Sequence, residues 1–300
     1  MKRILRKVCI YLPDKLVIQI DNLRTYGKIL NFKKPKYYGE KINWIKVNGN
    51  LNKYKNLVDK YLVREYIKCK IGEEYLPKII GVYSSESEID YNKLPEKFVL
   101  KLNDGSDKNI ICKNKALLDI SKTNKKLRKL LKEDYYKYTK EPQYKNIEKK
   151  IICEEYLEEK NGDFIEYNLH CFSGKVKVIE VHTDRSTSYS EDFFEVDWKR
   201  MDVKGKAPKS LKKIERPIFL EKLINLGEIL AKSFEYVRVD FNAVNGKLYF
   251  SELTFTPANG TDRFYPLEFD LKIASFINLD KYNKPFNYYD EVSGDGDVYL

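Results

Sequence analysis

The carboxylates of Asp240 and Glu252 stand in otherwise apolar runs, residues 237–241 and 248–253, on either side of Val244-Asn245-Gly246-Lys247. Asn-Gly is a strong hairpin signal because both residues accept positive φ. A turn centred there pairs Val244 with Lys247 and, counted outward, Asp240 with Ser251, one residue from Glu252. Two carboxylates on neighbouring rungs can share a small hard cation. Arg238, two residues from Asp240 on the same strand face, can instead neutralise one of them as a structural ion pair. Thr254 follows on the face of Glu252 and can lend an oxygen. The turn Thr256-Pro257-Ala258-Asn259-Gly260 can bring backbone donors nearby.

A second set of residues suits phosphate. Lys101 ends the apolar run Phe98-Val99-Leu100 and, by alternation, shares a face with Val99. A lysine reaching into a cleft can hold phosphate; a strand-end lysine can equally extend to water. The polar loop Asn103-Asp104-Gly105-Ser106-Asp107-Lys108-Asn109 follows, with backbone donors at Gly105 and Ser106. Glu154 and Glu155 precede Tyr156-Leu157, a segment that can line an adenine slot or end a strand in water. Lys60 reads locally as a surface lysine on a helix. His170 and His182 form no metal-ligand cluster with cysteine, and no Ser-His-Asp or Cys-His arrangement points to nucleophilic catalysis.

Elements must hold these groups in place. An apolar stripe (Val58, Leu62, Tyr66, Cys69) before Gly72 predicts a helix over 57–70. Strands are predicted over 76–83, 97–101, 110–112, 150–157, 165–172 and 176–181, the last two joined through Ser173-Gly174-Lys175. Further helices are predicted over 121–137, capped by Ser121, over 219–233 with a broad apolar face, and over 267–277. Residues 16–23 fit helix or strand. Residues 28–39 are basic and aromatic, residues 191–197 aromatic and acidic, and residues 202–217 read as a loop. The expected class is α+β with mostly antiparallel sheets. GxGxxG, GxxxxGK[ST] and internal repeats are absent.

Three hundred residues suffice for one large domain or two smaller ones. The net charge of +11 favours an anionic partner, although solubilising lysine gives the same excess. No nucleic-acid module is recognisable, so no nucleic-acid partner is expected. Five scattered cysteines without CxxC read as reduced thiols. No apolar run is long enough to span a membrane. The basic start MKRILRKVCIYLPDK has too short an apolar stretch, residues 8–12, for a signal sequence. It reads as a first helix or as an arm touching a membrane surface, and the expected location is the cytoplasm.

The order of motifs resembles the ATP-grasp superfamily. More narrowly, it resembles the TupA-like ATP-grasp family, named for teichuronopeptide biosynthesis. The stretches that carry the likeness are Asp59-Lys60-Tyr61-Leu62-Val63-Arg64-Glu65-Tyr66, Leu94-Pro95-Glu96-Lys97-Phe98-Val99-Leu100-Lys101 with its glycine loop, Ile152-Cys153-Glu154-Glu155-Tyr156-Leu157, and residues 238–257. Trp44-x-Lys46, Tyr144-Lys145-Asn146 and Cys171-Phe172-Ser173-Gly174-Lys175 extend it over about residues 40–275.

This resemblance implies an ATP site clamped between two α+β subdomains with mainly antiparallel sheets. It implies a short substrate-side element over 1–50, an ATP-grasp domain over 51–280 with a hinge near 153–158, and a tail over 281–300 that looks loosely packed. Lys60 and Lys101 would reach phosphates, and the loop with Gly105, Ser106 and Lys108 would be the phosphate lid. Glu154, Glu155, Tyr156 and Leu157 would form the adenine hinge and Asp163 would meet ribose. Asp240 and Glu252, with Thr254, would hold Mg²⁺; Arg238 and Arg185 would steady phosphate or an acyl phosphate. The chain departs from the family pattern at Asp104-Gly105-Ser106-Asp107-Lys108-Asn109, at Glu166-Tyr167-Asn168-Leu169, and at Glu252-Leu253-Thr254, where Glu-x-Asn is usual.

The implied activity is ATP- and Mg²⁺-dependent joining of a carboxylate to an amine through an acyl phosphate. The expected partners are an acidic sugar of a surface polysaccharide or its precursor and an amino acid or amine, with peripheral association with membrane-side polysaccharide machinery. A kinase of a sugar hydroxyl, or a degenerate nucleotide-binding partner of a glycosyltransferase, would use the same phosphate machinery.

Overall fold

The computed structural model describes residues 11–106, 108–160, 163–282 and 285–293. The basic arm before Tyr11, with Cys9, lies outside the described residues, as do Asp107 of the loop and the end of the tail from residue 294.

Two antiparallel sheets form the molecule. The first runs β1-β4-β2-β3, from β1 (Ile79–Tyr83), β2 (Phe98–Leu102), β3 (Ile110–Cys112) and β4 (Ile151–Glu155). Phe98, Leu100 and Leu102 alternate into its core with Ile151 and Cys153, and Leu127 of helix α4 (Ile120–Lys132) closes over them. Val99, Lys101, Ile152 and Glu154 therefore point to the other face: Val99 opposes Glu154 and Lys101 opposes Ile152. Asp119, not Ser121, caps α4, its side chain accepting the Lys122 N–H at 2.8 Å.

The second sheet runs β7-β6-β5-β8-β9, from β5 (Ile165–Phe172), β6 (Lys175–Thr183), β7 (Ser190–Phe194), β8 (Tyr236–Val244) and β9 (Lys247–Thr254). One face is apolar: Tyr167, Leu169, Cys171, Val237, Val239 and Phe241 join the core that includes Leu223 and Leu230 of the helix Leu220–Ala231. The other face carries the polar residues of the same alternation.

Helices α1 (Asp14–Tyr26) and α2 (Tyr38–Asn48) precede both sheets; residues 16–23 are thus helical. The helix expected over 57–70 is broken. A turn at Lys55–Val58 stops at Asp59, and α3 is Val63–Ile71. Asp59 causes the break: its Oδ1 accepts the N–H groups of Tyr61 and Leu62 at 2.8 and 3.1 Å, and its Oδ2 accepts Asn103 Nδ2 at 2.7 Å. Lys60 consequently sits on a turn rather than a helix. The tail also differs from expectation. Tyr282 is buried, and Phe286, Tyr288 and Val292 pack against the main core.

Candidate active site

On the polar face of the second sheet, residues directly opposed across strands share one side. One row runs Glu180, Asn168, Asp240, Glu252 from β6 through β5 and β8 to β9. A second runs Glu191, His182, Glu166, and a third includes His170, Arg238 and Thr254. Asn168, His170, Glu180, His182, Glu191 and Asp240 are all buried. A sheet face so rich in buried ionisable groups is costly unless each is paired or meets a ligand.

The hairpin turns where expected, with Asn245 and Gly246 at φ 50° and 75°. Its register follows the outward count as far as Phe241 opposite Phe250 and then shifts. A bulge between Asp240 and Phe241 leaves Ser251 unpaired and sets Asp240 directly opposite Glu252. The bulge reverses the parity of β9, so that Phe241 still opposes Phe250 on the core side while Glu252 and Thr254 stay on the polar side with Asp240 and Arg238. Arg238 clasps Asp240 with two bonds of 2.8 and 2.6 Å. Thr254 Oγ1 donates toward Asp240 Oδ2 at 3.3 Å or Glu252 Oε1 at 3.0 Å. Burial pushes the Asp240 carboxyl up to about 6 against the pull of Arg238, and Glu252 adds to the rise. For Glu252, burial is outweighed by Lys60 and Arg238, which hold its carboxyl below the ordinary value. Two carboxylates and a hydroxyl in one corner are hard oxygen donors of the kind Mg²⁺ takes, so the residues present fit that ion.

Lys60 joins this corner to the glycine loop. Its Nζ donates to Gly105 O at 2.6 Å and lies 3.6 Å from Glu252 Oε2. Gly105 has φ 69°, and a Cβ there would come within 2.5 Å of the Tyr135 ring, so only glycine fits. Ser106 Oγ is 3.1 Å from Tyr135 Oη. Of the two acids in this loop, Asp104 is neutralised internally, buried between Lys108, at 3.1 Å, and Lys149. Lys108 is thereby turned inward, and burial lowers its ammonium pKa despite Asp104.

On the first sheet, Lys101 Nζ lies 2.5 Å from Glu154 Oε2, and Arg64 takes Glu154 Oε1 at 3.3 Å. Both oxygens of Glu154 are thus engaged by cations. Glu155 points the other way and accepts the Lys78 N–H at 2.8 Å. Tyr156 and Leu157 follow β4 half-buried, with Lys113 Nζ 5.7 Å from the Tyr156 ring centre. Beyond them the hairpin tip returns, where Asn245 Nδ2 donates to Glu158 O at 2.8 Å. Asp163 is tied to the β6–β7 connection, accepting the Ser186 N–H and hydroxyl at 2.6 and 2.8 Å.

A cavity of about 1090 Å³ opens over the polar face. Arg238, Glu252, Thr254, Ser106 and Arg185 line it, as do Asp21 and Arg24 of α1 and the segment around Ala258, Asn259 and Asp262. The structure brings Lys60, Gly105, Ser106, Arg238, Asp240, Glu252 and Thr254 together and sets Lys101 with Glu154 on the first sheet. Arg185 lines the cavity but is clamped to Glu166, its NH2 2.6 Å from Oε2.

Several cavity groups escaped the sequence reading: Glu180, Glu191, Glu141 and, among the histidines, His182. His182 meets Glu180 at 2.6 Å and lies 3.4 Å from Glu166. Burial opposes its charge, but Glu166, Glu180 and Glu191 prevail and raise the imidazole to about 11. The signal was present as strict alternation, with Glu166, Asn168 and His170 on one face and Tyr167, Leu169 and Cys171 on the other. Lys46 of α2 was quoted only as part of a motif. It is buried and donates to Asn259 Oδ1 at 2.6 Å, while Asn43 donates to Gly260 O at 3.0 Å; together they brace a turn in which Ala258 and Asn259 take positive φ.

The family described as TupA-like ATPgrasp matches residues 40–278. The chain belongs to the TupA-like ATP-grasp family. Its fold is the α+β, two-lobe ATP-grasp arrangement, one sheet to each lobe. Solved structures similar to this TupA-like chain include an L-amino acid ligase from Bacillus licheniformis, 13% identical, covering 94% of this chain and 64% of that one at TM-score 0.46. A D-alanine–D-alanine ligase from Bacillus anthracis is 18% identical and covers 83% and 72% at TM-score 0.45. The ATP complex of the D-alanine–D-alanine ligase from Bacillus anthracis is 15% identical at TM-score 0.41; the match covers 67% of this chain and spans 55% of the ligase's length. No curated protein matched the sequence. Among the described residues, no helix is long and apolar enough to cross a membrane.

Proposed function

We propose that this TupA-like chain is an ATP- and Mg²⁺-dependent, ADP-forming carboxylate–amine ligase. Its carboxylate substrate would be a uronic acid of a surface polysaccharide or its precursor, and its amine an amino acid or related compound. The observation that carries this reading is the corner of Asp240, Glu252 and Thr254, backed by Arg238 and Lys60, at the edge of a cavity lined by both cations and carboxylates.

A free carboxylate is a poor acyl electrophile because oxide is its leaving group. Transfer of the γ-phosphoryl group forms a carboxyl O–P bond and releases ADP. The amine nitrogen then bonds to the carbonyl carbon as the C–O bond to phosphate breaks, and the proton it loses leaves with the inorganic phosphate. Mg²⁺ held by Asp240, Glu252 and Thr254 would supply neutralisation of phosphate charge. Lys60 would move from Gly105 O to a phosphate oxygen, and Lys101, anchored by Glu154, would bind another. The Arg238 guanidinium, fixed in orientation by Asp240, would hold the oxyanion of the acyl phosphate. With both oxygens of Glu154 engaged, the backbone at Glu155, Tyr156 and Leu157 would read the adenine edge. Arg185 would steady substrate from the cavity wall.

The test incubates the purified chain with ATP, Mg²⁺ and pairwise panels of uronic acids and amino acids. Amine-dependent ADP release matched by an amide product in mass spectrometry is the expected result. Phosphate retained on the sugar would instead identify a kinase.

A further inference from the structure

We propose that Glu180, His182 and Glu191 form a second cation site, for a divalent transition-metal ion such as zinc, distinct from the all-oxygen corner at Asp240 and Glu252. One ligand atom from each of the three lies within 4.8 Å of the others. All three side chains are buried and line the same cavity. His182 Nε2 is 2.6 Å from Glu180 Oε1 and 3.8 Å from Glu191 Oε1. Tetrahedral zinc, with bonds of about 2.0–2.1 Å, spaces its ligands roughly 3.3 Å apart. That spacing lies between the two observed edges, so a small opening of one and closing of the other admits the ion.

The outer atom of each ligand is already held. Glu180 Oε2 is bonded to His170 Nε2 at 2.8 Å, and His170 Nδ1 lies 3.1 Å from Tyr236 Oη. Glu191 Oε2 accepts the Ala207 N–H at 3.0 Å. His182 Nδ1 lies 3.4 Å from Glu166 Oε2 and 3.0 Å from the Arg185 NH2 that Glu166 also holds; with Nδ1–H turned to Glu166, the carboxylate–histidine arrangement orients a metal-binding imidazole. These partners come from outside the triad and leave the three inner atoms convergent.

Charge agrees. Arg185 is clamped by Glu166 and Arg238 by Asp240. Arg238 also lies 4.0 Å from Glu180 Oε2, but Glu166, Glu180, Glu191 and Asp240 together outnumber Arg185 and Arg238 by two charges, which a divalent cation matches once it displaces the proton His182 holds on Nε2. The nitrogen donor distinguishes this site from the oxygen-only corner: imidazole suits zinc, whereas Mg²⁺ prefers oxygen. Three protein ligands leave a coordination position open to the cavity, where water or an anionic group of a substrate would bind.

The test titrates zinc chloride into the full-length protein after chelator treatment and dialysis, by calorimetry. Expected is one saturable equivalent with micromolar or tighter affinity, undisturbed by millimolar Mg²⁺ and retained in Asp240→Asn. Glu191→Gln and His182→Gln should each weaken it at least about tenfold. Should His182→Gln fail to fold, Glu191→Gln decides, since glutamine keeps the side-chain volume and the acceptor for Ala207. Cobalt(II) loading should give d–d bands without a thiolate charge-transfer band. The proposal is overturned by absent saturable binding, by binding unchanged in Glu191→Gln, by loss in Asp240→Asn, or by a thiolate band assigning the metal to cysteine. None of these outcomes depends on the ligase reading.

Discussion

Asp240 and Glu252 differ in what else they do. Glu252 keeps about a third of its side chain exposed and has Lys60 at 3.6 Å. Asp240 is buried and is the carboxylate that clasps half-buried Arg238. Glu252→Gln should therefore reduce Mg²⁺-dependent turnover by about 100-fold or more, the scale for losing one preorganised electrostatic group. Its urea unfolding midpoint should stay close to wild type. Asp240→Asn should lose turnover similarly but also cost about 3 kcal/mol of stability, because Arg238 loses the carboxylate that clasps it and keeps only Glu180 and Glu252, each at 4.0 Å. Equal stability of the two variants by urea titration would contradict this division of roles.

The turn at residues 256–262 is held by elements far away in sequence, Asn43 and Lys46 of α2 and Tyr26 of α1. Burial lowers the Lys46 ammonium to about 8, only partly offset by Glu141, Asp21 and Asp14. The unfolded chain keeps that proton to the ordinary lysine value, so between about pH 8 and 10.5 the unfolded state binds more protons than the native one. Stability contributed by this group therefore rises with pH across that window, by up to about 3 kcal/mol in total. Comparing wild type with Lys46→Met by urea titration at pH 7.5, 9 and 10 should show wild type gaining on the variant as pH rises; parallel curves would refute the assignment. At every pH the variant should turn over more slowly, since Asn259 loses its anchor in the cavity wall. Of these elements, the hairpin turn and the strands that alternate strictly were legible in the sequence. The bulge was legible too, in the skip from Leu248 and Phe250 to Leu253 and Phe255, but counting pairs outward from Asn-Gly assumes an unbroken ladder and missed it. The break at Asp59 was hidden because an apolar stripe runs through it, while the acid that ends the first turn finds its second partner, Asn103, in the loop that follows β2.

At the scale of the whole molecule, the motif order over about residues 40–275 was readable because each chemical group sits next to a local pattern such as Phe98-Val99-Leu100-Lys101. The Glu166–Glu180–His182–Glu191 cluster was not. Its members come from three strands and mean little until the sheet is assembled. The two lobes meet chemically where Lys60 bridges the glycine loop and Glu252, and the cavity beside that bridge is lined by both cations and carboxylates. The most direct test uses uronic acids labelled with ¹⁸O in the carboxylate, with ATP, Mg²⁺ and an amine. Activation as an acyl phosphate predicts one ¹⁸O carried into inorganic phosphate for each amide and ADP formed. ADP formation with no label in inorganic phosphate and phosphate retained on the sugar would contradict it.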